Sequence, residues 1–564
     1  MRRMPSSKSV AVCPNLPGAL GLGLALACGG DNRGASDAFG TSSTGMPAGS
    51  GTQGEPSGSG TAGPAGTQGS TDGESDGNES TTGSIPSDDS GDGVRFDLDP
   101  DGPTPGDTPG EHRTCGEGEF LFVVPYQLPP DPSRGTIDCS GGSVTQADVV
   151  LNLDTSNSMQ SMIDGVRASF GQIVHDLAAE IPNIAFGVGG FEDFPGCAQA
   201  GAPGDIPWYL VHRVMTVSTP AGIASIEAEL GKLYADQGGD GPESSYQALH
   251  EIATGEGIQE GGANVPAFNP ATAPPMVPPA GETVGDIGGV GFRPGSLPIT
   301  ILATDTSGHN CESWPENNYT CGMAGASTCN QAIQEMVAIG GRVIAMVPGL
   351  PFGIPPSLIP AAEVELAKVY DEIKYTVIGT GGVVPASAWS IGGAPRPAGC
   401  APDQCCTLEN GAGRAPEPSG ECPLVFRLGG EWMGVGDSVA TAIKVLARGG
   451  SFDIGAQIQD DPSDGVDAVA AFVDHVETSG SNTAPCTTGH MTQDSNGDGH
   501  DDRFLNLTTG QSVCFDLIPK KNLTVPATSD EQRFKAYLDI QASGITSVGR
   551  IEVTFIVPPA ITPE

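Results

Sequence analysis

The chain has 564 residues, long enough for two or three domains. Its formal net charge of −43 argues against nucleic acid and anionic lipid surfaces as partners, because recognition of phosphate needs Lys and Arg. Gly (83) and Pro (49) are abundant and aromatics make up only 5%, a bias concentrated near the N-terminus.

The first 27 residues read as an export signal: Arg2, Arg3 and Lys8 precede a short apolar core at 19–27 that cannot span a bilayer as a helix. The signal ends at Ala25-Leu26-Ala27-Cys28-Gly29-Gly30, which resembles the lipobox of bacterial lipoproteins, with Ala25 where Leu is usual. That resemblance implies that Cys28 is acylated as the first mature residue. The chain would then sit in a bacterial cell envelope, lipid-anchored at the outer membrane or cell surface, since Gly29 in place of Asp gives no signal for inner-membrane retention. Ordinary secretion is the alternative. Residues 28–112 are Gly, Ser, Thr, Pro, Asp and Glu with almost no large apolar side chain, so they cannot offset their ordering entropy and read as a disordered stalk. Residues 113–142 form a short N-terminal extension with a strand at 120–124.

From 143 to 450 strands alternate with helices, the pattern of a doubly wound, Rossmann-like α/β domain with a mainly parallel sheet. Strands are expected at 149–153, 183–191, 209–217, 298–303, 342–347 and 375–378. Helices are expected at 159–180, 220–233, 243–253, 331–339, 361–370 and 435–447. Met162, Val166, Phe170, Ile173, Val174 and Leu177 carry the helical spacing of the first. Two insertions, 254–296 and 380–430, read as surface excursions.

Three loops of this domain should meet at the carboxyl edge of the sheet, where open α/β sheets place ligands. One carries Asp154, Ser156 and Ser158. The second is Gly238-Gly239-Asp240-Gly241-Pro242-Glu243, and the third is Ala303-Thr304-Asp305. Carboxylates and hydroxyls are hard oxygen donors suited to Mg²⁺, Mn²⁺ or Ca²⁺. A Ser or Asp at a strand-to-helix junction can also simply cap the helix.

Together the loops resemble the metal-ion-dependent adhesion site of the von Willebrand factor type A domain, in the version found in integrin β subunits. The resemblance implies that Ser156 and Ser158 bind the metal directly and that Asp154 and Asp305 act mainly through waters or hydroxyls. It places Glu243 at the metal-binding Glu of the integrin version. A protein partner would complete the metal's shell with an Asp or Glu carboxylate. The adjacent calcium site of integrins needs paired acids where this chain has Ser161 and Met162, with Asp164 later, so it is not expected; Asp240 could support a neighbouring cation.

Residues 451–564 read as a β-rich domain, with a sandwich as one arrangement, strands at 452–458, 513–518, 534–540 and 551–556 and a helix at 466–476. It contains Asp494-Ser495-Asn496-Gly497-Asp498-Gly499-His500-Asp501-Asp502, which resembles the calcium loops of dockerins and thrombospondin type 3 repeats. Asp494, Asn496, Asp498 and Asp502 would hold a structural Ca²⁺; Leu505 stands where an EF-hand needs Glu. Setting aside Cys13 and Cys28 leaves 12 of the 14 cysteines, an even number that suits a disulfide framework. Cys311, Cys321 and Cys329 form one cluster and Cys400, Cys405, Cys406 and Cys422 another. Cys115 with Cys139 and Cys486 with Cys514 are local pairs. Zinc in either cluster is the alternative.

Enzyme signatures are weak. His250 lacks the second His of a zinc protease helix and reads as a helix-surface residue. Ser156 occupies the position where a haloacid dehalogenase type phosphotransferase needs Asp. The reading is a metal-dependent binder of a protein partner, not an enzyme; the alternative is a structural envelope protein that uses its metals for stability only.

Overall fold

The computed structural model describes residues 113–560, except 115–118, 140–143, 196–200, 237–240, 260–261, 313–318, 351–354, 394, 482, 510 and 545. All lie in one compact unit, Phe96–Glu564. The export signal, Cys28, the stalk, Cys115 and Asp240 lie outside the described residues.

The described chain opens with strands β1 (Arg113–Thr114), β2 (Glu119–Val123) and β3 (Gly135–Cys139). It continues through β4 (Gln146–Asp154), α1 (Gln160–Ala178), β5 (Asn183–Phe191), β6 (Tyr209–Thr216), α2 (Pro220–Leu230) and α3 (Ser245–Thr254). Next come β7 (Leu297–Ala303), α4 (Cys329–Ala338), β8 (Arg342–Val347), α5 (Ile359–Gly379), β9 (Val383–Pro385), β10 (Glu421–Pro423), β11 (Val425–Arg427) and α6 (Val435–Gly449). The last part holds β12 (Ser451–Asp460), α7 (Ala468–Phe472), β13 (Val473–Thr478), β14 (Thr492–Gln493), β15 (Arg503–Thr508), β16 (Val513–Pro519), β17 (Gln532–Ala542) and β18 (Thr546–Val557). The protein is mixed α/β, with parallel and antiparallel sheets.

The site depends on one six-stranded sheet of order β11-β8-β7-β4-β5-β6. All its pairings are parallel except β5 with β6. Its central strands are apolar along nearly their whole length because helices cover both faces. Val149, Leu151 and Leu153 of β4 pack with Met162, Val166 and Phe170 of α1, Ile226 of α2 and Ile443 of α6. Val150, pointing the other way, joins Leu249 and Ile252 of α3, Met336 of α4 and Val377 of α5.

Two further sheets share one apolar cluster. One has the order β14-β15-β12-β17-β18-β2 and the other β1-β3-β16-β13. Phe120, Phe122, Phe472, Phe515, Leu538 and Phe555 meet between them. Strand β2 runs parallel to β18, with Phe122 opposite Phe555, and β3 runs antiparallel to β16. The strands of 113–139 therefore complete sheets built mainly from residues after 450.

Several local expectations need correction. Residues 375–378 are not a strand: Tyr375-Thr376-Val377-Ile378 has β-forming composition, but Glu372, Ile373, Thr376 and Val377 are buried at helical spacing and α5 runs on to Gly379. The edge strand of the sheet is instead β11, inside the segment read as the second insertion. The expected helix at 466–476 is helical only over α7. From Val473 the chain is strand, bonded to β16, so tertiary pairing outweighs the Ala-rich start. Nor is 254–296 purely a surface excursion, since Val265, Val290 and Phe292 are buried in the α3–α5 core.

Arg293 explains why that insertion is fixed. Its Nε and Nη2 reach Asp148 Oδ1 at 2.7 and 2.5 Å, its backbone N–H donates to Asp148 Oδ2 at 2.6 Å, and Nη1 donates to Asn183 Oδ1 at 2.5 Å. Both members of the pair are buried. Burial still pushes the Asp148 carboxyl above its usual range, outweighing the pull of Arg293.

Disulfides staple the loops: Cys311–Cys329, Cys400–Cys406, Cys405–Cys422 and Cys486–Cys514. Cys321 is disulfide-bonded as well. Sulfurs paired in this way are not thiolate ligands, so the zinc alternative falls for both clusters. Such bonds belong to an oxidising, extracytoplasmic compartment. No helix among the described residues is long and apolar enough to cross a membrane.

Removing one partner of a buried ion pair strands the other. Arg293→Ala should therefore lower the unfolding free energy of the full chain by about 3–5 kcal/mol in urea titrations. Gln146→Ala, at an exposed contact to the same loop, should cost less than about 0.5 kcal/mol.

Candidate metal centre

Parallel pairing sets the site. Leu153 of β4 lies opposite Ala303 of β7, so both strands release their chains at the same edge. Asp154 ends β4 fully buried. Its Oδ1 accepts the Ser156 N–H at 2.8 Å and its Oδ2 accepts the Thr304 hydroxyl at 2.7 Å. The loops after the two strands are thus joined through one carboxylate.

Ser156 is extended (φ −63°, ψ 160°), and a 3₁₀ turn at Asn157–Met159 follows. Neither Ser156 nor the residue preceding α1 makes a side-chain capping bond. The Ser156 hydroxyl instead lies 3.4 Å from that of Ser158, which in turn bonds the Asp305 carboxyl. Helix capping does not account for these hydroxyls. Thr155 turns the other way, donating to the Phe191 carbonyl at 3.0 Å and accepting from the Tyr209 hydroxyl at 3.1 Å. The Tyr209 ring fits because Gly190 has no Cβ; one there would fall 2.5 Å from the ring.

Glu243 comes from the loop before α3. Its N–H donates to the Ser307 carbonyl at 3.0 Å, and its carbonyl accepts the His309 N–H at 2.9 Å. These bonds zip the second loop to the third. Gly308 allows the approach, since a Cβ there would lie 2.3 Å from Ser245 Oγ. Glu372 of α5 joins the third loop to α3, accepting the Gly308 N–H at 2.8 Å and the Tyr246 hydroxyl at 3.0 Å. Ser244 ties the start of α3 to the end of β5 through the Glu192 carbonyl, at 2.6 Å.

The electrostatics are unbalanced. Burial, then the Asp305 charge, pushes Asp154 up to about 7. Burial, then Asp154, Asp193, Asp305 and Asp205, pushes Glu243 well above the carboxylate range. Asp305 is raised by burial too. Glu243 is 2% exposed, and its Oε2 has no hydrogen-bond partner among the described residues. No Lys or Arg pairs with Asp154, Glu243 or Asp305 among the described residues. The nearby Asp193 does have a partner, His309, at 3.0 Å. Buried Asp154 and Glu243, half-buried Asp305 and two hydroxyls, with one Glu243 oxygen orphaned, make a donor set that fits a hard divalent cation.

Other residues fall elsewhere. Asp164 pairs with Arg167 at 2.8 Å on α1, and Met162 is core. His250 is not a surface residue: it is buried and meets Glu335 at 2.6 Å. Thr304, Glu372 and the Asp193–His309 pair were not singled out from sequence. Thr304 directly precedes Asp305 in the third loop, but Glu372 is one of several acids on its helix and only the fold distinguishes it.

Asp494, Asn496, Asp498 and Asp502 share one loop. Asp494 accepts the N–H groups of Gly497 and Gly499 at 2.6 and 2.9 Å, and Asn496 accepts that of Asp498 at 2.9 Å. Both Asp502 oxygens engage Ser495 at 2.8 Å. Asn496 and Asp498 are exposed, Asp494 is half-buried and Asp502 is buried.

No family model matches the chain. No curated protein matches it either. Among solved structures, the pilus adhesin SpaC from Lactobacillus rhamnosus GG in its open conformation is 12% identical with a TM-score of 0.26, over 75% of this chain and 47% of the adhesin. Proximal thread matrix protein 1 from the mussel byssus is 17% identical with a TM-score of 0.22, over 37% of this chain and 39% of that protein. The chain thus spans less than half of either neighbour, and scores this low do not define a shared fold.

Carboxyls raised in the folded state bind more protons there than in the unfolded chain, whose ordinary values are 3.8 and 4.5. With chelator present, stability should therefore fall as pH rises from about 4 through 7. Surface repulsion adds to this fall, so the informative quantity is a difference. The loss of melting temperature between pH 4.5 and 7.5 should be smaller in Glu243→Gln than in the wild type. Equal losses would mean that Glu243 ionises freely.

Proposed function

We propose that the chain is an extracytoplasmic lipoprotein that binds a protein partner through a divalent-metal-dependent site of the von Willebrand factor type A kind, and that it is not an enzyme. One observation carries the reading: Asp154, Ser156, Ser158, Glu243 and Asp305 gather at the carboxyl edge of one sheet, with a buried Glu243 oxygen that no described group satisfies. The strand order and the helices on both faces support a doubly wound domain.

In this reading Ser156 and Ser158 would hold Mg²⁺, or Mn²⁺ or Ca²⁺, through their hydroxyls, with Glu243 as the charged donor. Asp154 and Asp305 would orient the hydroxyls, as Asp305 already does for Ser158. The ion would supply an electrophilic centre for an Asp or Glu carboxylate of the partner. Thr304 and Glu372 would position the loops through their hydrogen bonds. The spacing of Asp494, Asn496, Asp498 and Asp502 supports a second, structural Ca²⁺ in their exposed loop.

The test is a thermal melt of the oxidised full chain in EDTA, Mg²⁺ or Ca²⁺, with pull-downs run beside it. Mg²⁺ at a hundred times its dissociation constant should stabilise by about 2.7 kcal/mol. That shift should vanish in Ser156→Ala and persist in Asp498→Ala, while a separate Ca²⁺ shift should vanish only in Asp498→Ala. Capture of a partner should be lost in EDTA and in Ser156→Ala. A Mg²⁺ shift without metal-dependent capture would favour a domain that uses metal for stability only. No Mg²⁺ shift would remove the support for this site.

A further inference from the structure

A third group of donors lies in the C-terminal sheets, away from the Asp154 centre, and one member, His500, comes from the Asp494–Asp502 loop. His475 and Glu477 are two residues apart on β13 and so share a face. His500 reaches them from the loop after β14. That loop is docked on the strand by the Thr478 N–H, which donates to the Asp501 carbonyl at 2.6 Å, and it is closed at its base by the Thr492 hydroxyl, which donates to the Asp501 carboxylate at 2.5 Å. His475 Nε2 and His500 Nδ1 lie 3.7 and 3.5 Å from the same Glu477 oxygen, Oε2. All three donor atoms fall within 4.8 Å of one another.

We propose that His475, Glu477 and His500 form a site for a borderline transition-metal ion, Zn²⁺ above all, that clips the Asp494–Asp502 loop to β13. Four donors at bond lengths of about 2.0–2.1 Å around a tetrahedral ion stand about 3.4 Å apart, close to the spacings here. The donor chemistry is that of Zn²⁺, with two imidazoles and one carboxylate, not of Mg²⁺ or Ca²⁺.

The surroundings orient the donors. The His475 Nδ1 lies 2.9 Å from the Asp474 carboxylate, which only accepts, so Nδ1 carries the proton and Nε2 presents its lone pair toward Glu477. Arg134 takes the other Glu477 oxygen, Oε1, at 2.9 Å and also bonds Asp516 at 3.0 Å, leaving Oε2 to the ion. The two imidazoles are stacked, with centroids 3.5 Å apart and planes at 15°. Entry of the ion requires one ring to tilt. His500, with a side chain 41% exposed on a loop, is the one able to turn. Three protein donors leave the fourth position to water.

The test uses the oxidised full chain with Ca²⁺ and Mg²⁺ in excess, so that any hard-ion sites are filled. Zn²⁺ is titrated by calorimetry, and Co²⁺ is followed by the visible absorption of its tetrahedral complexes. One tight Zn²⁺ equivalent is expected. Asp474→Asn should weaken it about 10- to 100-fold through the lost orienting bond. His475→Ala and His500→Gln should each weaken it further still and abolish the tetrahedral Co²⁺ spectrum. His490→Ala should leave it unchanged. Since His500→Gln changes only an exposed loop, a native circular dichroism spectrum will show that the variant is folded. Failure of the wild type to bind Zn²⁺, or binding that survives in both His475→Ala and His500→Gln, overturns the proposal. Neither outcome bears on the Asp154 centre.

Discussion

A carboxylate at the end of a strand buried on both faces is the constraint around which this protein is organised. Asp154 is fully enclosed, so each of its oxygens needs a partner from the chain. One takes the backbone of its own loop and the other takes Thr304 from the neighbouring strand. Those two bonds fix where the chain goes after β4 and after β7. They also decide that Ser156, Ser158 and Asp305 emerge side by side.

The supporting shell follows from that placement. The third loop must lie against the start of α3 for its backbone to pair with Glu243, and only glycine at 308 leaves room for Ser245 and Tyr246. Glu372 then closes the arrangement from α5, bonding Gly308 in the third loop and Tyr246 on α3. The same helix therefore fills the core with Ile373 and Val377 and braces the site with the residue before them. Packing and site geometry are properties of one helix face, and a change in the register of α5 would disturb both.

Much of this was legible in the sequence because the signals were periodic or local. The bounds of β5 and β8 and the apolar stripe of α1 match the expected ones closely, since strands buried on both faces and amphipathic helices write their burial directly into residue order. The residues converging at the sheet edge were legible for a related reason: parallel strands end at one edge, so motifs after different strands are brought together by topology. What was not legible depended on pairing across long sequence distances. Nothing in 119–123 announces that β2 will lie beside β18, and nothing in 425–427 marks an edge strand of the central sheet. Tyr375–Ile378 misleads for the converse reason, its β-branched composition being overridden by burial at helical spacing. Arg293, some 145 residues from Asp148 along the chain, carries no local sign of its role.

The two acidic loops show how burial alone separates residues of the same type. Asp154 is enclosed beside another carboxyl, and its proton affinity rises to about 7. Asp498 is exposed, and the His500 N–H bond holds its carboxyl below the usual range. A cation entering the first site would relieve a cost that folding has already incurred. One entering the second would have to displace water and backbone donors from carboxylates that are already satisfied. Under the proposed reading, the buried centre is where metal and stability should be most tightly linked. A hydroxyl in place of a further carboxylate at buried Ser156 avoids adding to the charge that the fold must enclose before any metal binds.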